Sequence, residues 1–254
     1  MSASWSKLLE QGREFLKASI WEETDFSQTQ QSRGIAPPPL EKPFSEDAKR
    51  IKLPTVKDWR SLAQMELVSA IANRCSRRNF SEQPLRLIEL SFLLWATQGI
   101  RRRLNKSTAL RTVPSAGARH ALETYLCVFH VEGLAAGVYR YLPLEHELLW
   151  EFTPTNAREE LTAAALGQAF VAEGSVTFFW TAIPCRMEWR YGPASHKLIA
   201  LDAGHVCQNL YLACEAIGAG VCGVAAYHQQ LMDRFLRLEG KEEFVIYLAP
   251  VGKV

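Results

Sequence analysis

Three short stretches carry residue types that could do chemistry. The first is "RCSRRNF", residues 74–80. If this stretch is extended, Arg74, Ser76 and Arg78 point the same way, because strand side chains alternate with a period of two. Two planar guanidinium forks and a neutral hydroxyl converging on one spot suit a phosphate group. A basic solvated turn is the plain competing reading, since charge runs are usually solvated. The second is "RTVPSAGARHALETYL", residues 111–126, in which Pro114, Ser115, Ala116, Gly117 and Ala118 sit between two arginines and directly ahead of a strand-like run. A turn needs only one or two small or rigid residues. Five in a row suggest a flat group approaching the backbone, which Gly and Ala permit by removing side chains. A tight turn into a strand accounts for them equally well. The third is "AIGAGVCGVAAYH", residues 216–228, where Gly and Ala recur after a helical pattern without Asp, Glu, Lys or Arg. Backbone N–H groups left open there could donate to an acceptor on a planar ligand.

A fourth stretch, "RMEWRYG" at 186–192, offers Tyr191 as a candidate acid or donor beside the fixed positive charge of Arg190. Trp189 and Tyr191 read equally as rim or core aromatics. His205 reads as a packed, hydrogen-bonded histidine rather than a base. No GxGxxG stands between a strand and a helix, as a dinucleotide fingerprint requires (GAGVCG at 218–223 has the spacing but follows a helical pattern), there is no Walker lysine, and no Ser-His-Asp or Cys-His set stands out.

The elements that must position these residues follow from composition and periodicity. The chain has 254 residues, 48% apolar and 22% charged, with a net charge of +2. That is enough chain for a substantial core and gives no global basic field toward nucleic acid or membrane. The N-terminus lacks the apolar run and cleavage site of a signal peptide, and no apolar run reaches the roughly 20 residues of a spanning helix. The six cysteines (75, 127, 185, 207, 214, 222) contain no CxxC pair. They read as reduced and buried in a cytoplasmic protein, with no metal site. Arg101-Arg102-Arg103 reads as a solvated loop.

Residues 1–60 read as an extension: a short amphipathic helix near 5–20, then "SRGIAPPPLEKPF", whose prolines favour extended chain that wraps a folded body. The body is expected over 61–254. Helical spacing predicts helices in "SLAQMELVSAIANR", in "PLRLIELSFLLWATQG" with Gly99 as its stop, in "NAREELTAAALGQAF" (156–170) and in "HQQLMDRFLRLEG". The longest is "HKLIALDAGHVCQNLYLACEAIG" (196–218), where the small Ala200, Ala203, Gly204 and Cys207 would let a second helix approach closely. "ETYLCVFHVEG", "GVYRYLP", "HELLWEF", "GSVTFFWTAIP" and "EEFVIYLAPVG" read as strands. Helices and antiparallel strands mix without regular βαβ alternation, which gives an α+β fold.

Taken in order along the chain, "RCSRRNF" with "PLRLIELSFLLWATQGI", then "RTVPSAGARHALETYL", "LDAGHVCQNLYLACEAIGAG" and "FVIYLAPVGK" resemble the FMN-dependent nitroreductase family. Within it the chain is most similar to the SagB-type branch, whose members oxidise thiazolines and oxazolines in peptide-toxin maturation. The resemblance implies a central, mainly antiparallel sheet flanked by helices, in an intertwined homodimer with FMN at its interface. It implies Arg74, Ser76 and Arg78 at the phosphate and ribitol end. Pro114, Ser115, Ala116, Gly117 and Ala118 would face the isoalloxazine across the interface. Val224, Ala225 and Ala226 would lie at its other edge with backbone N–H near N5 and O4, and Lys253 near the phosphate. It also implies hydride passing through the flavin in a ping-pong cycle, with NAD(P)H as donor and a small organic acceptor, and Tyr191 and Arg190 as the catalytic pair. Two alternatives stand beside it: azoline oxidation on a ribosomal peptide, and a flavin-binding subunit without turnover. The chain departs from the branch in carrying Arg190 where a Lys-Tyr pair is usual, and arginine cannot serve as an ordinary base.

Overall fold

The computed structural model describes residues Ala3–Trp59, Leu62 and Gln64–Val254. The expected boundary between extension and body, at Arg60 and Ser61, lies outside the described residues. The first half contains α1 (Ala3–Leu16), α2 (Ile20–Glu23), β1 (Arg50–Lys52), α3 (Val56–Trp59), α4 (Leu67–Asn73), β2 (Leu85–Arg86), α5 (Leu87–Gln98), β3 (Ile100–Arg103), β4 (Ala109–Arg111) and β5 (Leu122–Val128). Next come β6 (Val131–Glu132), β7 (Gly137–Leu142), β8 (Glu147–Phe152), α6 (Ala157–Ala164) and β9 (Val176–Ala182). The chain closes with α7 (Cys185–Tyr191), α8 (Ser195–Ala216), β10 (Ala219–Val221), α9 (Gln229–Phe235) and β11 (Phe244–Lys253).

Seven strands form one sheet in the order β1-β8-β7-β5-β9-β11-β10, and every neighbouring pair is antiparallel. At its centre Tyr125 of β5 lies opposite Arg140 of β7 on one side and Phe179 of β9 on the other. All seven residues of β5 and of β9 are buried. Successive side chains go to opposite faces, so both faces must be covered. On one, Leu122, Leu126, Phe178 and Trp180 pack with Leu90, Leu93 and Leu94 of α5 and Val206, Leu210 and Cys214 of α8. On the other, Tyr125, Cys127, Phe179 and Leu248 pack with Leu161 of α6 and Met232 and Phe235 of α9. Each large apolar side chain buried in this way stabilises the fold by roughly 1.5–3 kcal/mol. The mixed, antiparallel α+β architecture is the expected one.

The proline-rich segment does wrap the body. Buried Arg111 donates to the Leu40 carbonyl, and Arg140 donates to the carbonyls of Lys42 and Pro43. The Lys42 N–H donates to Glu123, which is itself paired with Arg186 inside the protein. A segment with few amides to offer a sheet is thus held through its carbonyls, which proline leaves intact.

Several expectations are corrected. Within "SLAQMELVSAIANR" the helix begins only at Leu67, and its Leu67, Val68 and Ile71 are exposed rather than turned to the core. Helix α6 stops at Ala164, because Leu166 (φ +58°) and Gly167 (φ +81°) turn the chain out before a 3-10 turn at Ala169–Ala172. Gly99 is extended (φ −61°, ψ 145°), and a Cβ there would come 2.4 Å from Trp95 Cδ1, so glycine is needed for room and not for a left-handed cap. The arginines 101–103 are solvated but lie in strand β3. All six cysteines are free; four are buried, whereas Cys75 is exposed and Cys185 half-buried.

Candidate functional site

Helix α4 ends at Asn73, and Arg74 (φ −52°, ψ 120°) takes the chain into an extended run. Ser76 bridges Val221 in parallel, and the Arg77 N–H donates to the Val221 carbonyl at 3.0 Å. Alternation then sends Arg77 against Gly220 and its neighbours to the other side. There a residue of α8 that the sequence reading missed, Tyr211, receives two of them. The Ser76 hydroxyl lies 2.9 Å from the Tyr211 hydroxyl, and the Arg74 guanidinium sits over the Tyr211 ring at 5.3 Å. The Gly223 N–H donates to the same hydroxyl at 2.8 Å. A tyrosine oxygen already accepting from Gly223 can give its own proton to Ser76, leaving the serine proton to point outward. Arg78 diverges and stacks on Phe170 at 5.5 Å. Neither Arg74 nor Arg78 has a carboxylate within ion-pair distance among the described residues.

Lys253 does not join this cluster. It is buried, and its ammonium donates to Glu89 Oε1 at 2.8 Å and to the Ile217 carbonyl at 2.7 Å. Against its burial, hydrogen bonds from Lys253 and from the Arg86 N–H and guanidinium hold the Glu89 carboxyl below the usual range. Lys253 thus closes a buried ion pair with Glu89 in this structure. The Val224 N–H is likewise committed: it donates to the Leu248 carbonyl at 2.8 Å, and its side chain is buried. Ala225 and Ala226 remain exposed beside it, and the Ala226 carbonyl accepts from Gln168 Nε2.

The turn at 114–118 and the Arg190-Tyr191 pair meet. Ser115 is extended, a 3-10 turn covers Ala116–Ala118, and Gly117 (φ +56°), Ala118 (φ +52°) and His120 (φ +46°) are all left-handed. A Cβ on Gly117 would lie 2.7 Å from the Tyr191 hydroxyl and 2.9 Å from Arg190 Cδ. Within one chain, then, the small residues make room for Tyr191 and Arg190. The turn is tied down by the Ser115 hydroxyl, which accepts the His120 N–H. Asp202 of α8, also missed in the sequence, has Oδ1 3.4 Å from the Ala116 N–H, while its buried Oδ2 has no partner. Burial pushes the Asp202 carboxyl above the ordinary value, against the hydrogen bonds from Ser115 and Ala116. Arg119 stacks on Trp189 at 5.0 Å and donates to Ser107 and Thr108. His120 is buried beside Arg111, Arg119 and Arg186 and is pushed down to about 2, so its imidazole is neutral at all working pH. His205, expected to be packed, is exposed.

Between these two groups runs helix α8. Nine residues separate Asp202 from Tyr211, about 13.5 Å of helix. Near its Asp202 end, Ala200, Ala203 and Gly204 border a hollow of about 360 Å³ also lined by Ala225, Phe244, Ile246 and Tyr247. The lining is almost wholly apolar. One of its residues, Tyr247, lies against Gly223, whose N–H reaches the Tyr211 hydroxyl that meets Ser76. Among the described residues no group of three His, Cys, Asp or Glu could hold a metal ion, and no helix is long and apolar enough to cross a membrane.

A model described as the Nitroreductase family matches residues 71–253, and the chain belongs to that family. A Methanocaldococcus jannaschii protein named as a nitroreductase is 31% identical over 207 residues, covering 82% of this chain and 98% of its own. The trifolitoxin-processing protein TfxB of Rhizobium leguminosarum bv. trifolii is 29% identical over 136 residues, 51% of this chain and 36% of that one. A solved structure from Ralstonia eutropha, also named as a nitroreductase, superposes with a TM-score of 0.67 at 26% identity, covering 87% of this chain and 95% of that one.

Proposed function

We propose that this protein is an FMN-dependent oxidoreductase that accepts hydride from NAD(P)H and passes it to a small organic acceptor, as a cytoplasmic homodimer. The observation that carries this reading is the pairing of Arg74 and Ser76 on Tyr211, with no carboxylate partner among the described residues. Tyr211 is a residue of α8, the helix whose Ala200, Ala203 and Gly204 line an apolar hollow. The donor set fits a flavin mononucleotide: a cation and a hydroxyl for the phosphate, and Ala- and Gly-bordered space for a flat ring. When bound, the flavin supplies the hydride chemistry, and the protein supplies binding and electrostatics. Arg74 would anchor the phosphate by charge-assisted hydrogen bonds. Arg190 stays protonated and gives the Tyr191 end of the site a fixed positive charge. Tyr191, half-buried against Gly117, would donate or orient a proton there. Asp202 holds the turn that places Gly117, through the Ala116 N–H.

The homodimer is supported by the exposed Leu67, Val68 and Ile71 of α4, beside an open groove of about 480 Å³ between α4, α5 and α8. Exposed apolar surface of this kind marks an interaction site. The test is the purified full-length protein: a yellow protein with one FMN per chain and twice the chain mass in solution supports the reading. A colourless monomer that takes up no added FMN overturns it.

The likeness to TfxB favours one second reading, a peptide-processing azoline dehydrogenase. It requires a base to deprotonate the substrate, and Arg190 cannot be one. Conversion of a thiazoline-bearing peptide to the thiazole would establish it.

A further inference from the structure

The hollow has a wall that the family match does not include. That match begins at residue 71, yet Phe15 of α1 lines the hollow opposite Ala225 and Gly204. Phe15 is held there by the site's own elements. Lys197 of α8 donates to the carbonyls of Leu16 and Lys17, the latter at 3.2 Å, and so clamps the end of α1. Further along, the Gln31 N–H donates to the Trp189 carbonyl of α7 at 2.8 Å, and the Trp189 indole N–H donates to Ile35 at 2.8 Å. Between these clamps Trp21 packs edge-on against the Tyr191 ring, with centroids 5.7 Å apart. The arm is thus fastened at two places, to α8 and to α7, and presents one aromatic to the cavity and one to Tyr191. The lining contains no Asp, Glu, Lys or Arg, and its one histidine, His196, has Nε2 2.9 Å from Glu188.

We propose that the N-terminal arm is the specificity element of this site: Phe15 limits the length of the acceptor, and the uncharged lining selects neutral, flat molecules. This rests on the flavin-dependent reading above. For a quinone acceptor the balance is quinone, NAD(P)H and a proton to hydroquinone and NAD(P)⁺, so a size series of quinones reports the wall without changing the chemistry.

The experiment compares the full-length protein with Phe15→Ala and Phe15→Trp, using 1,4-benzoquinone and 9,10-phenanthrenequinone as acceptors. FMN affinity and flavin reduction by NAD(P)H are measured alongside. Phe15 is half-exposed on a surface helix, so neither change removes core packing. Pocket shape discriminates at tenfold or more per group gained or lost. The ratio of kcat/KM for the large quinone over the small one should therefore rise about tenfold in Phe15→Ala and fall in Phe15→Trp. Because the flavin ring is assigned to the same hollow, FMN affinity and flavin reduction should shift by no more than about twofold while the quinone ratio shifts about tenfold. A ratio that stays within about twofold of the parent in both variants, with flavin bound and reduced normally, overturns the arm's role alone. A parent protein that binds no FMN overturns the flavin reading beneath it.

Discussion

Removing Arg74 separates phosphate binding from every other role of its segment. In the structure the guanidinium makes no ion pair; it lies over the Tyr211 ring at 5.3 Å on a half-exposed stretch. Its contribution to folding is the cation–π contact, about 0.5–1 kcal/mol at an exposed site. A charge-assisted hydrogen bond to a phosphate is worth about 1.5–3 kcal/mol. Arg74→Ala should therefore weaken FMN binding by roughly tenfold to 150-fold, at about 1.4 kcal/mol per tenfold, while the melting temperature moves little. The assay is quenching of flavin fluorescence on titration with protein, run in parallel with FMN and with riboflavin. Riboflavin lacks the phosphate, so its affinity should be the same for parent and variant. Arg74→Lys, which keeps the charge but not the fork, should fall between. Equal loss of both ligands, or no loss of FMN, would refute the assignment of Arg74 to the phosphate.

Three further outcomes are expected. Lys253→Met removes one of the two cations on buried Glu89, which keeps its pair with Arg86, and should cost about 1–3 kcal/mol in urea unfolding, with FMN affinity of the folded fraction unchanged; a selective loss of FMN binding would assign Lys253 to the phosphate. Gly117→Ala forces an L-residue to stay at φ +56° with its Cβ 2.7 Å from the Tyr191 hydroxyl, and should lower stability by about 1–3 kcal/mol, read as a shift in the urea midpoint. Glu41, buried near Glu123, is pushed up to about 7. A carboxyl raised from its ordinary value of 4.5 makes no pH-dependent contribution below that value; stability then falls as pH rises through the window to about 7 and stays lower above it. Glu41→Gln should remove roughly 1–3 kcal/mol of that decline, measured as urea midpoints at pH 5 and pH 8; parallel pH profiles would contradict it.

The parts of this molecule that local pattern controls were legible in its residues. The continuous apolar run of "VTFFWTA" in β9 and the 3.6-residue spacing of the 22-residue helix α8 are read directly, whereas of Arg74, Ser76 and Arg78 only the first two meet, at Tyr211, and Arg78 turns to Phe170. What spacing does not encode is a partner far along the chain. Lys253 looks like a free terminal cation until Glu89, 164 residues away, is placed beside it. The Val224 N–H looks open until Leu248 takes it. Tyr211 carries no local signal, since it becomes important only when Ser76, 135 residues earlier, reaches its hydroxyl. Asp202 is hidden for the same reason: its meaning depends on Ala116 and Ser115 arriving from another element. The role of the arm depends on Lys197 and Trp189, which nothing near Phe15 announces.

The central claim is that Arg74, Ser76 and the α8 hollow hold a flavin that this chain reduces and reoxidises. It is tested most directly by anaerobic titration of the FMN-loaded protein with NADPH and with NADH, followed by addition of 1,4-benzoquinone. The account predicts that the visible flavin band bleaches with about one equivalent of at least one nicotinamide, the stoichiometry of one hydride per flavin, and returns when the quinone is added. A band that persists through excess of both nicotinamides would contradict it.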